Sequence, residues 1–429
     1  MVPLNVYFHP GNRDLIQVVA PHAHRFRRFF VSGSSLHNLF TSFTNPAPLL
    51  ERLEIHYFHY HPGVREYLLF DDQAPRLREL VIVTRSPWIQ NNFWNLTSLH
   101  LTLYHTVRSH SELSPFFDML RRCPDLEELF VIWYHWKTSV ILAQFPAVPL
   151  HRLRKLLLCS FRIESVKCLL HNFELKANGI AIHLRDVHPG HVGGSSIPTI
   201  QTMFPNDNCG RPALVSCTQL ELIFHTRPRS FILHAVGPGF SIRIDMYLDV
   251  FTHIEKVNFT FYHVYPSVKE LWLRGSSRWS TKLEGFEHFP ALERLVLNGK
   301  GSNLVQNVRQ ALSLDHLGAP PCPLLAAIDC YANESEMREL FLLVRTRFSA
   351  DRQLETLSVP SNFLPLPARV SARVRDVKDL DTPSRPLHTH SMELPPFCFT
   401  KEHEWWMPWK SRLTPDQGTF FFRSSRIDV

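Results

Sequence analysis

One phrase, repeated along the chain, constrains the fold more than any other feature. "PDLEELFVIW" at residues 124–133 and "PALERLVLNG" at 290–299 both read L-x-x-L-x-φ, where φ is aliphatic. The same cadence occurs in "LLERLEIHYF" (49–58), "PRLRELVIVT" (75–84), "NLTSLHLTLYH" (95–105) and "HRLRKLLLCSF" (151–161). It returns in "TQLELIFH" (218–225), "HIEKVNFTFYH" (253–263), "SVKELWLRG" (267–275), "PLLAAIDCYA" (323–332) and "QLETLSVPS" (353–361). The marker residues Leu53, Leu80, Leu99, Leu129 and Leu156 lie 27, 19, 30 and 27 residues apart. Later steps, Leu271 to Leu295 and Ile328 to Leu357, are 24 and 29. Spacings of this size fall in or near the range of leucine-rich repeats.

In a strand, L-x-x-L-x-φ puts Leu53 with Ile55, and Leu129 with Val131, on one face. A single short strand cannot cover that face, so successive units must stack and merge their leucines into one core. The segments between them read as helices: "SELSPFFDMLRRC" (111–123), "ESVKCLLHNFEL" (164–175) and "NESEMRELFLLVRTRF" (333–348). The first offers Ser114 and Pro115 as cap and first-turn residue, and the last opens with a capping pair, Asn333 and Glu336. A doubly wound α/β domain would need strands that are apolar on both faces. Here the intervening positions include Glu54, Glu79, His100, Lys155, Asn258 and Arg294, so one face is expected to be wet. The expected fold is therefore α/β, a leucine-rich-repeat solenoid with a curved parallel sheet on the concave side and irregular helices on the convex side.

Residues 1–48 read as a strand–helix cap or a first degenerate repeat, 49–361 as the array, and 362–429 as a proline-rich linker with an aromatic tail. Within the array "GIAIHLRDV" (179–187) reads as a rung, and the Gly, Pro, Ser and Asn of 188–216 read as an insertion. Residues 226–252 hold one or two degenerate rungs, and the 14 residues from Val257 to Leu271 leave room for a plain turn only. The tail carries Trp405, Trp406 and Trp409 and is either a cap on the open end or a docking segment.

The formal charge of +7 comes from 46 Lys and Arg set among 39 Asp and Glu, with no basic run that would track a nucleic acid. The eight cysteines form no C-x-x-C pair and several stand in apolar text, which suits buried thiols in a reducing compartment. Neither a signal peptide nor a membrane-spanning run is visible, so the expected location is intracellular, cytoplasmic or nuclear. There is no phosphate-cradling loop, nucleophile elbow or H-E-x-x-H motif. Of the 25 histidines, His59 and His61 share a strand face but lack a third ligand. No catalytic residue, metal ligand or cofactor is therefore assigned.

Binding is expected on the concave sheet, at the positions between the core leucines. There large or charged side chains at wet positions are the candidates for contact with a partner. These are His100, Phe130, Ile132, Tyr134, Trp272, Arg274, Arg294 and Asn298. A protein target on this face is one reading. The alternative is an enzyme with a histidine-lined cleft near the 188–216 loop.

In "NPAPLLERLEI" (45–55), "LTSLHLTLY" (96–104), "RRCPDLEELFV" (121–131) and "FPALERLVLNG" (289–299) the chain resembles fungal F-box proteins with degenerate leucine-rich repeats. The helix expected over "VVAPHAHRFRRFFVSG" (18–33) resembles the segment that precedes the first clear rung in that family. The resemblance covers roughly residues 1–361 and implies a substrate receptor that docks on the Skp adaptor of a cullin ubiquitin ligase. The F-box itself is not recognisable ahead of the first rung.

Overall fold

The computed structural model describes residues 2–8, 13–33, 42–57, 68–84, 91–92, 94–104, 113–133, 145–175, 179–188, 216–226, 229–247, 259–260, 265–275, 283–299, 303–313, 321–331, 333–348 and 353–380. The rungs became strands. In chain order these are β1 (Leu4–Phe8), β2 (Phe26–Gly33), β3 (Arg52–Tyr57), β4 (Glu79–Thr84), β5 (Ser98–Leu103) and β6 (Glu128–Trp133). Then come β7 (Val148–Leu150), β8 (Lys155–Cys159), β9 (Phe173–Leu175), β10 (Ile180–Val187), β11 (Gln219–Thr226), β12 (Arg229–Gly237) and β13 (Phe240–Tyr247). Last are β14 (Phe259–Thr260), β15 (Glu270–Gly275), β16 (Leu283–Glu284), β17 (Arg294–Asn298), β18 (Ala327–Tyr331), β19 (Leu354–Val359) and β20 (Val374–Asp379). Sixteen of them form one sheet in the order β1-β2-β3-β4-β5-β6-β8-β10-β13-β12-β11-β15-β17-β18-β19-β20. Among the described residues its two ends do not meet, so the sheet is open.

Pairing is parallel except where β12 runs against both β11 and β13. The register sets like positions of successive rungs side by side. Leu53 faces Leu80, Leu80 faces Leu99, Leu99 faces Leu129, and Leu129 faces Leu156. Beyond β11 the row resumes as Leu220, Leu271, Leu295, Ile328 and Leu357. All ten are buried in one continuous core. Each leucine thus sits about 5 Å from its equivalents on both neighbours, which is what lets short strands share an apolar face.

Helices cover that same face. They are α1 (Arg13–Val19), α2 (Ser114–Arg121), α3 (Ile163–Asn172), α4 (Leu304–Ser313), α5 (Glu334–Arg347) and α6 (Ala368–Ser371). Phe116, Leu120, Val166, Leu169, Val305, Val308, Met337 and Leu340 enter the core from them. Pro115 stands in the first turn of α2, but Ser114 donates to Asp118 and makes no cap bond. Asn333 does form the capping box of α5: its Oδ1 accepts from the Glu336 N–H at 3.0 Å, and Glu336 accepts from the Asn333 N–H at 3.1 Å. None of the described helices is long and apolar enough to cross a membrane.

Several expectations are corrected. "FRRFFVSG", read as the end of a helix over 18–33, is strand β2, because Phe29 and Val31 alternate with Phe30 and Ser32 at period two. The α-helix ends at Val19, and a 3-10 helix over Ala20–Arg25, with Pro21 in its first turn, leads into the strand. Of the expected rung "HIEKVNFTFYH" only Phe259 and Thr260 are described, and they form β14, which pairs with β16 outside the main sheet. Residues 226–252 instead supply two full strands, β12 and β13, folded back through Pro238–Gly239. Proline fixes the first turn position and Gly239 takes φ 85°, a conformation that L side chains disfavour. The sheet also continues past residue 361, since β20 pairs with β19 through Val374 to Asp379.

Candidate functional site

The residue between the two core positions of each rung points to the second face. Register strings these residues into a single row across all sixteen strands. It begins Tyr7, Phe30, Glu54, Val81, His100, Phe130, Leu157, His183. It continues Arg243, His234, Glu221, Trp272, Val296, Asp329, Ser358, Lys378. No described helix contributes to the apolar cluster on this face.

The face is less wet than its sequence suggests. Phe130, Ile132 and Trp272 are only 3%, 5% and 6% exposed, and His100 is 8% exposed. Phe130 and Trp272 belong to a second apolar cluster with Leu157, Ala181, Val236, Val296 and Tyr331. His100 lies against Phe130 with ring centroids 4.4 Å apart. Arg274, Arg294 and Asn298 are half-buried, while Tyr134 lies outside the described residues. The candidates thus fall into two groups. His100, Phe130 and Ile132 sit on β5 and β6, and Trp272, Arg274, Arg294 and Asn298 on β15 and β17, with five strands between them.

In the second group Arg274 stacks over the Trp272 ring at 5.3 Å, and the Trp272 Nε1–H donates to Glu270 at 2.7 Å. Arg294 bridges Glu270 and Asp329, its Nε–H donating to Asp329 at 3.0 Å. At the other end the face opens into a groove of about 360 Å³ against Tyr7, Arg28, Phe30 and Arg52. Tyr7 there is 71% exposed.

Between the two groups lies a network that inspection of the leucine ladder missed. His183 Nε2 is 3.0 Å from Asp245, which also accepts from Arg243 Nε at 2.8 Å. His234 Nδ1 is 2.7 Å from Glu221, whose other oxygen lies 2.8 Å from Arg274 Nε. The signal was present: in "IAIHLRDV" and "SIRIDMY" charged residues alternate with isoleucines, as on any strand with one polar face.

Burial pushes both carboxyls up, yet both stay low. For Asp245 the Arg243 charge and the His183 hydrogen bond prevail; for Glu221 the His234 bond and the Arg274 charge do so. Burial lowers His183 to about 4 despite its bond to Asp245, so at neutral pH it is an uncharged Nε2–H donor. Burial also pushes the thiols of Cys123 and Cys159 up to about 12, which keeps them protonated and unreactive. Among the described residues no three His, Cys, Asp or Glu side chains converge as a metal site would require. The histidine-lined cleft expected near the 188–216 loop falls on 189–215, outside the described residues.

No family model matches the chain, and no curated protein matches it in sequence.

The His183 environment sets a pH dependence. Its folded pKa of about 4 lies below the ordinary imidazole value, so between the two the unfolded chain binds the extra proton. Stability is full above about pH 6.5 and falls towards pH 4, by at most about 1.4 kcal/mol per pH unit. Glu221 and Asp245, also held low, extend the loss at more acid pH, whereas Glu79 and Asp186, raised by burial, oppose it just above the ordinary carboxyl values, where the folded state binds the extra proton. Urea midpoints at pH 7.5 and 5 should differ in the native protein and converge in His183→Gln. Equal midpoints in the native protein contradict the assignment.

Proposed function

We propose that the protein is a non-enzymatic scaffold for protein–protein recognition, built as a leucine-rich-repeat solenoid whose polar face takes a protein target. One observation carries this reading: sixteen strands present unlike side chains in register on one face, while a common core and the helices occupy the other. A repeat array of this kind offers a long surface in which each rung changes independently, which suits recognition of a large partner. The Arg, Glu, Asp and His groups of the face are engaged with one another, a rigid pattern of charge and not a set poised for proton transfer.

In its fuller form the reading makes the protein an intracellular substrate receptor of a ubiquitin ligase, with a Skp adaptor and a cullin as further partners. That part rests on the resemblance of the rungs to fungal F-box/leucine-rich-repeat proteins alone.

Affinity capture from native extract tests both levels. Tyr7→Ala with Arg28→Glu alters the open end of the face, where both side chains are exposed, and Asn298→Arg crowds β17. Neither change touches the leucine core, so the melting transition should be unchanged. The expected result is a discrete target retained by the native protein and lost with either variant. Capture indifferent to both variants removes the face from the account. A face-dependent target without Skp or cullin subunits retains the scaffold and discards the ligase role.

A further inference from the structure

A second surface lies at the rim of the sheet, on the turns that lead into β3, β4 and β5. Trp94 is 60% exposed there, an unusual state for so large an apolar side chain. It borders a groove of about 320 Å³ whose apolar wall includes Pro46, Pro48 and Pro75. The polar lining is Asp72, Gln73, Asn92 and Asn95.

The backbone below this groove is held in an unfavourable shape. Phe70, Asp71 and Asp72 have φ of 57°, 51° and 59°, three successive non-glycine residues in the left-handed region. Each is disfavoured by about 1–2 kcal/mol, so the turn persists only because its surroundings fix it. Asn91 clamps Leu69 through both its amide atoms, at 3.0 and 2.6 Å. The Phe70 ring is sunk among Phe29 and Phe43. Asp72 accepts from the backbone and side-chain N–H groups of Asn92 at 2.6 and 2.7 Å.

These bonds also decide which atoms are left for a ligand. The Asn92 Nδ2 donates to Asp72, the Asn95 Nδ2 to the Pro75 carbonyl at 2.9 Å, and the Gln73 Nε2 to Asp71 at 3.3 Å. Carboxylates and carbonyls only accept, so none of the three amides can be turned round. Each therefore has one of its two N–H groups engaged within the turn, and its oxygen, a pure acceptor, is fixed on the opposite side of the amide. Among the described lining residues the one formal charge is the carboxylate of Asp72. Arg76 and Arg78 are near in sequence but do not line the groove, and Arg78 donates to the Asn95 carbonyl at 2.8 Å. A groove that joins a carboxylate and oriented amide oxygens to an exposed indole complements a planar, donor-only cation.

We propose that this groove binds an arginine side chain presented by an extended segment of a partner protein, with the guanidinium on Trp94 and the prolines receiving the flanking residues. The site stands apart from the face assigned above and does not depend on it.

Fluorescence anisotropy of the full chain with a short labelled peptide tests the assignment. The peptide carries one arginine between proline and glycine, and lysine and citrulline versions serve as comparisons. The arginine peptide should bind saturably, the citrulline peptide about tenfold or more weaker, and Trp94→Ala should weaken the arginine peptide about tenfold. Because Trp94 is exposed, its variant should melt as the native protein does, and Trp94→Phe should recover part of the binding. Equal binding of the citrulline peptide would assign the groove to proline rings and overturn the proposal. So would an arginine peptide that fails to saturate, or a Trp94→Ala variant that binds as well as the native chain.

Discussion

Trp272→Ala lowers the unfolding free energy by about 3–5 kcal/mol, the range for removing a buried tryptophan or phenylalanine from a packed interior. Read from sequence, Trp272 stands at an outward strand position and its removal should leave the fold intact. The structure places it differently. Only 6% of the residue is exposed, it packs with Val236 and Val296 in the second cluster, and its indole N–H is held by Glu270. Truncation opens a cavity between strands and removes the platform under Arg274. Phe130→Ala should behave alike, since Phe130 is 3% exposed in the same cluster. Urea denaturation gives the answer: a drop below about 0.5 kcal/mol for both, the level of ordinary surface changes, would return them to the solvent face.

Glu221→Ala should cost about 3–5 kcal/mol, as expected when one member of a buried ion-paired set is removed. Glu221 is 3% exposed and lies between His234 at 2.7 Å and Arg274 at 2.8 Å, on adjacent strands of opposite direction. Its removal leaves the half-buried Arg274 guanidinium and the buried His234 without that carboxylate, and the loss exceeds what the pair contributes in favourable attraction. Glu221→Gln keeps an acceptor for His234 and should be less damaging. A loss within 1 kcal/mol for the alanine variant would mean that water reaches this part of the sheet.

The large, mostly parallel sheet was legible in good part, because strands that share one apolar face must each carry its core residues in their own sequence. Leu53, Leu129, Leu156 and Leu295 fall in one core for that reason, and the capping box of α5 follows from two residues alone. What was not legible depends on neighbours. β11 follows β10 in the chain but does not pair with it; β13 does, and β11 pairs with β15 instead. Nothing local in "TQLELIFH" states whether its partner will be the rung before or the hairpin after. The last strand was hidden because its core residues, Val374 and Val377, stand among Arg, Asp and Lys.

The candidate face was legible in position and illegible in exposure. Alternation located Phe130, Trp272, Arg274 and Arg294 on it correctly as strand residues. Burial depends on lateral neighbours such as Leu157 and Val296, which pack against them across register lines that span whole repeats. The two His–carboxylate pairs join residues 62 and 13 positions apart, and no spacing rule connects them.

That successive rungs lie side by side in register is tested most directly by double-mutant cycles in the leucine row. Leu129 and Leu156 face each other on adjacent strands, whereas Leu129 and Leu295 are separated by six intervening strands. Measured by urea denaturation, the Leu129→Ala and Leu156→Ala effects should be coupled by about 0.5–3 kcal/mol. Those of Leu129→Ala and Leu295→Ala should add to within about 0.5 kcal/mol. Strict additivity for the adjacent pair, or equal coupling for the distant one, contradicts the ladder.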